Sequence, residues 1–414
     1  MITNLKKYLP YLLPLLLIFS RSVADITIVL ISILFIYHSY KKLGWGWVKE
    51  KWFCFALIFW VYCLTINSAF SINPTESLAY SLFFIRWPIF AMALAYWILT
   101  DIKSLKKFLL AMTLVLIFII FDTWWQFFFE QDIFGFEKYM PNRLTGPFKG
   151  NPHVGAWIAK LILLPPLFLI LYDKLKLQEH QNCLTYSFFI ISTILFLSVA
   201  ITGERMALLL TLASIFILFI GLALNKIFLL KKISLLLLFS FFAILIFAYS
   251  FPHTTERAYF STIEKILNWR TSDYGLVWQS AYDVWVQSPL FGAGLHKYRE
   301  ACENLGIYGS SYLNAIGGGV CFHPHNISLQ LLSETGLVGF ILFYAMVIVL
   351  AFTSLKIYFT SKLWLSFALV FNIIFTCFLP IASSTSFFAN KYGAIVWLLV
   401  GVMLATNGLF KKEN

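Results

Sequence analysis

Long apolar runs broken by short polar turns set the pattern of this chain. An α-helix needs about 20 apolar residues to cross about 30 Å of hydrocarbon. On that measure the runs predict helices at Tyr8 to Phe19, Ile26 to Tyr40, Trp52 to Phe70, Leu78 to Leu99, Phe108 to Phe129 and Val154 to Tyr172. Six more follow at Leu184 to Ile201, Met206 to Leu224, Ile233 to Phe251, Leu337 to Phe359, Leu363 to Ile381 and Tyr392 to Leu409. They are helices because lipid offers no partner to an open strand. The first run follows Lys6 and Lys7 and precedes Ser22, Val23 and Ala24, so it fits a signal peptide as well as a retained helix. The retained helix is adopted, and its removal leaves the remaining topology unchanged.

Two polar excursions interrupt the pattern. The predicted organisation is helices 1–9 over residues 1–251 with a short loop at 130–153, a large loop over 252–336, and helices 10–12 over 337–414. Inside the large loop, "YGLVWQSAYDVWVQS" sets Val277, Ala281 and Val284 beside Trp278, Tyr282 and Trp285 at helical spacing, with Gln279, Asp283 and Gln287 as a polar stripe. An amphipathic helix follows, its apolar side expected on the bundle's outer face. "PLFGAG" and "NAIGGGV" read as turns.

Composition agrees, since 60% of the 414 residues are hydrophobic and 12% charged, about half the charged share of a soluble domain. Threading the spans with the N-terminus inside puts 18 of the 31 lysines and arginines on the inner side, all 18 of them lysines. Every arginine (Arg21, Arg86, Arg143, Arg205, Arg257, Arg270, Arg299) falls outside or within a span. Lysine anchors topology as a point charge, whereas arginine's planar fork grips phosphate bidentately. The outer face is therefore where a phosphorylated ligand is expected. The large loop is close to neutral, which excludes a nucleic-acid surface.

Candidate chemistry gathers in the large loop. Cys302 and Cys321 are a disulfide candidate in an oxidising compartment. Cys321, His323 and His325 also form C-x-H-x-H, but a closed zinc site needs four ligands and no second cluster is visible, so no metal site is assigned. Pro324 holds the residue before it extended, and Asn326 to Glu334 reads as a short helix closed by Gly336, which puts His325 at a helix start. A histidine there can act as a general base or merely cap the helix. Arg86, Asp122 and Lys160 lie at similar depth in their helices and suggest a shared polar cavity, with an Arg86–Asp122 pair as the structural alternative. Arg143, in "NRLTGPFKGN", can contact a ligand from the first loop or serve as a plain loop cation. Trp124, Trp125, Trp269 and Trp278 can stack on sugars or anchor the membrane interface.

"HNISLQLLSETGLVG" has the form His-Asn, nine residues, Gly-x-x-Gly, through His325, Asn326, Gly336 and Gly339. That signature resembles the bacterial O-antigen ligase and polymerase superfamily. "TGERMALLL" at a helix end and "NWRTSDYGLVWQSAYDVWVQSPLFGAGL" in the large loop are similar to the same family, although "GER" departs from its Ser-Arg pairing and leaves Glu204 without a role. The resemblance implies an all-α polytopic membrane protein of about twelve transmembrane helices, with one large periplasmic loop between helices 9 and 10. It implies an enzyme of the bacterial inner membrane that moves a glycan from undecaprenyl diphosphate to a hydroxyl of lipid A core oligosaccharide on the periplasmic face. By resemblance His325, Arg270 and Arg205 are catalytic, and no cofactor is expected. Arg143, His323, Asn326, Arg86 and Lys160 are the substrate-binding candidates. A polymerase with a second lipid-linked glycan as acceptor is the alternative. A lipid-linked oligosaccharide transporter is more distant, because the deep charges favour one face and no internal repeat is seen.

Overall fold

The computed structural model describes residues 2–141, 143–172, 181–224, 267–307, 319–361, 364–382 and 385–413, with isolated helical positions between 234 and 252. The described residues are helical, and apart from two isolated bridges, Gln131 with Glu137 and Met140 with Arg143, they contain no strand. Among the described residues, five helical stretches are long and apolar enough to cross a membrane: Arg21–Leu43, Pro74–Ile98, Ile102–Phe129, Ile327–Lys356 and Asn390–Lys411. Each coincides with one of the predicted spans. The predicted span Ile233 to Phe251 lies almost wholly outside the described residues, as do 253–266 and 308–318 of the large loop.

In chain order the helices are α1 (Ile2–Phe19), α2 (Arg21–His38), α3 (Lys51–Tyr62), α4 (Pro74–Phe84), α5 (Arg86–Ala93), α6 (Ile102–Phe129), α7 (Val154–Leu161), α8 (Leu164–Tyr172), α9 (Gln181–Ala200) and α10 (Arg205–Leu224). They continue as α11 (Asp273–Gln287), α12 (Tyr298–Asn304), α13 (Ile327–Ser361), α14 (Trp364–Phe378) and α15 (Asn390–Glu413). The expected single span from Val154 to Tyr172 is two helices, because Pro165 and Pro166 supply no N–H to the preceding turn and instead suit the start of α8. Among the long helical stretches just named, the most enclosed is α15. Its most apolar stretch is 89% buried, against 39% for that of α6, so it forms the axis on which α5, α14 and α13 pack.

A joint between the large loop and the bundle fixes the site. α13 breaks at Gly336, whose φ of 65° and ψ of −174° no helix contains. Backbone N–H groups of Ala293 and Gly294 donate to Ser333 and Glu334, and those of Leu337 and Val338 to Pro289 and Leu290, so the 289–294 segment is zipped into the break. A Cβ on Gly336 would lie 2.2 Å from the Leu290 carbonyl oxygen, and one on Gly292 2.5 Å from the Glu334 carbonyl. Only glycine fits either place. The π-helical turn Cys63–Asn67 at the end of α3 turns Asn67 into this joint, where Nδ2 donates to the carbonyls of Phe291 and Glu334 and Oδ1 accepts from Leu295 N–H.

The sequence places α11 correctly but not what it packs on. Ser272 caps it by accepting from Gly275 N–H, and its buried side, Val277, Ser280, Ala281 and Val284, faces Tyr298, Ala301, Cys302, Val320 and Cys321 in a small core belonging to the loop itself, as well as α13. Cys302 and Cys321 are disulfide-bonded within that core.

Candidate functional site

His325 sits one residue before the helix cap at the start of α13. Asn326 is the cap, its Oδ1 accepting from Leu329 N–H at 3.1 Å, so this candidate ligand residue spends its oxygen on the helix. His325 has φ of 51°, a left-handed conformation that costs a non-glycine residue about 1–3 kcal/mol. His323 holds it there, with Nδ1 accepting the His325 N–H at 3.2 Å and the two rings 3.8 Å apart. That bond assigns the His323 proton to Nε2. Burial pushes the pKa of His323 down to about 4, so it is neutral when it accepts.

The His325 ring nitrogens make no hydrogen bond within the described residues, and its edge meets the Tyr274 ring at 5.8 Å and 82°. Burial, then His323, Arg143 and His153, hold its pKa well below the usual histidine value. The imidazole is thus neutral and open at neutral pH. Tyr274 links it to Arg205, the first residue of α10, whose electrostatic surroundings are Tyr274, Arg143 and Asp273. Arg143 reaches the same place from the 130–153 loop. Its Nε is buried without a partner, and the loop beneath it is pinned by Gln126, which accepts from Thr145 and Gly146 N–H.

Glu204, left without a role by the sequence, has one here. Its two carboxylate oxygens accept from Gly155 N–H at 2.6 Å and Ala156 N–H at 3.1 Å, capping the N-terminus of α7 from the turn that leads into α10. Gly155 permits this, since a Cβ there would lie 2.5 Å from Thr202 Oγ1 and 3.1 Å from Glu204 Cβ. Burial raises the Glu204 pKa to about 7, opposed by Arg143, the two N–H bonds and Lys160.

Arg270 stands further out. It is exposed on the 3-10 turn Trp269–Thr271, with its guanidinium 5.6 Å from the Trp269 ring, and that turn packs closely on Gly275 and sets Trp269 against Trp278 of the helix that carries Tyr274. The expected cavity shared by Arg86, Asp122 and Lys160 does not form. Arg86 donates to Asp25, to the Phe83 carbonyl and to Asn390, lining with Asp25, Tyr80 and Trp87 a cavity of about 250 Å³. Asp122 instead accepts from Ile133 N–H, so the Arg86–Asp122 pair is also absent. Lys160 is buried, donating to the Ala156 carbonyl with Tyr392 4.9 Å away. Equal depth fixes height along the bundle but not direction around it, and these three side chains point different ways.

The sequence reading passed over His153, Tyr274 and Lys391. His153 follows Pro152 directly before an apolar run, the same local pattern as His325 after Pro324, and that repeat of Pro-His is the signal that could have found it.

The O-antigen ligase family model matches residues 188–344, the stretch holding Glu204, Arg205, Arg270, Tyr274 and His325. Residues 188–344 are similar to the O-antigen ligase family, which supports membership of that superfamily. Comparison with curated protein sequences gives no match. Arg143, His153 and Lys391 lie outside the matched stretch, so in this O-antigen ligase-like protein the surrounding bundle adds charges to the family domain.

Proposed function

We propose that the protein is an O-antigen ligase-type glycosyltransferase of the bacterial inner membrane, acting on its periplasmic face. The donor is a glycan on undecaprenyl diphosphate and the acceptor a hydroxyl of lipid A core oligosaccharide. The observation that carries this reading is the convergence of an open, neutral His325 with Arg205, Arg143 and Tyr274 inside or beside the family domain.

In the proposed step the acceptor oxygen attacks the anomeric carbon while His325 takes its proton. The bond from that carbon to the diphosphate oxygen breaks, and the electron pair leaves with the diphosphate. Arg205 and Arg143, joined by Arg270 from the outer turn, stabilise that growing charge in place of water. Burial above all, and then the charge of Arg143, make His325 a weak base. The arriving diphosphate offsets that charge, so the base strengthens when the donor is bound. Because arginines supply the charge, the reaction is proposed to need no metal, and a single displacement inverts the anomeric centre.

Purified protein supplied with lipid-linked glycan and lipid A core is expected to extend the core. Extension of the lipid-linked glycan alone, with core lipid untouched, would assign the polymerase reaction instead.

A further inference from the structure

Lys391 carries a positive charge where the fold alone gives no reason for one. It is the second residue of α15, and the N-terminal turn of a helix favours anions over cations. Its Nζ has no hydrogen bond or ion pair within the described residues. Instead it lies 3.9 Å from the centre of the Phe148 ring and 5.4 Å from that of Trp157, two rings themselves 5.1 Å apart. The side chain is partly accessible.

Its neighbours deepen the imbalance. After burial, Lys391 is the strongest influence on His153, followed by Arg143, His323 and Lys160, and together they push the His153 pKa down to about 3. Glu204, the carboxylate that faces Arg143 and Lys160, has both oxygens engaged by α7 N–H groups. Two buried polar atoms in the group, His153 Nδ1 and Arg143 Nε, have no hydrogen-bond partner. Buried polar atoms are normally satisfied, so two unpartnered ones among unbalanced cations mark the place of a missing anion. Lys160 is less suited to hold it, being fully buried and turned to the Ala156 carbonyl.

We propose that Lys391, held on the Phe148–Trp157 shelf beside His153 and Arg143, binds a phosphate of the polyprenyl-diphosphate donor. The proposal rests on the donor assignment above and adds the last helix to the binding site. The aromatic shelf seats the amine without pairing it to a carboxylate, so its hydrogen-bond donors are left for the ligand. The diphosphate would then be gripped from two sides of the chain, by Arg205 from the family domain and by Lys391 from α15.

The full-length protein in phosphatidylcholine nanodiscs tests this with undecaprenyl diphosphate, undecaprenol and phosphatidylglycerol as probes. Lys391→Met keeps the aliphatic stem on the rings and removes the charge. It is expected to weaken undecaprenyl diphosphate binding about tenfold or more, since bonds to charged groups contribute about 1.5–3 kcal/mol. Undecaprenol binding and the ligand-free melting temperature should stay unchanged, and Lys391→Arg should restore most of the affinity. Wild-type affinity for the diphosphate in Lys391→Met would overturn the proposal, and so would an equal loss for phosphatidylglycerol, which would make this a general lipid-phosphate site. A wild-type protein that binds undecaprenol as tightly as the diphosphate would overturn the donor assignment itself.

Discussion

At the scale of single residues the site depends on costs accepted locally. His325 is left-handed, and its N–H is held by His323, which therefore positions the base without having to touch substrate. Glu204 shows the electrostatic side. With its folded pKa raised to about 7 from an ordinary 4.5, the folded protein keeps this proton to a higher pH than the unfolded chain does. Its contribution to stability is thus greatest below pH 4.5, falls as pH rises towards 7, and is level above that. Glu204→Gln does not titrate there. The melting temperature of the variant minus that of wild type should therefore rise between pH 4.5 and 7 and then stay flat, and a pH-independent difference would show that the carboxylate is not held at raised pKa.

At the scale of elements, the start of α13 is aimed by the Gly336 joint. An alanine at Gly336 would meet both a left-handed backbone and the Leu290 carbonyl, a combined cost of about 2–4 kcal/mol. Gly336→Ala is expected to lower the melting temperature and to lose transfer activity. Gly408→Ala is the control, since a Cβ there meets nothing within 4 Å. Equal stability of the two variants would mean that the 289–294 segment does not need the break. The sequence announced this joint through "PLFGAG" and the Gly-x-x-Gly end of the motif, because positive-φ glycines leave a local mark. Asn67 carried no such mark. Its role depends on a π-turn in α3 meeting residues more than 200 positions away.

At the scale of the whole molecule, hydrophobic runs made the membrane helices legible, and the consecutive prolines Pro165 and Pro166 divided one that the runs alone had joined. The family domain was legible because its motif residues lie close together in sequence. The rest of the charged site was not. Arg143 and His153 come from one loop and Lys391 from a helix more than 230 positions away, and only packing around α15 brings Lys391 against Phe148 and His153. Arg86 taught the opposite lesson: Asp122 matched it in depth, yet Asp25 and Asn390 stand on the side it faces.

The most direct test of the account separates donor binding from transfer in His325→Ala, using purified protein, lipid-linked glycan and lipid A core in a single turnover. The account predicts donor affinity within a few-fold of wild type and transfer slowed by about 100-fold or more, the usual contribution of a positioned base. Transfer at close to the wild-type rate with the histidine gone would contradict it.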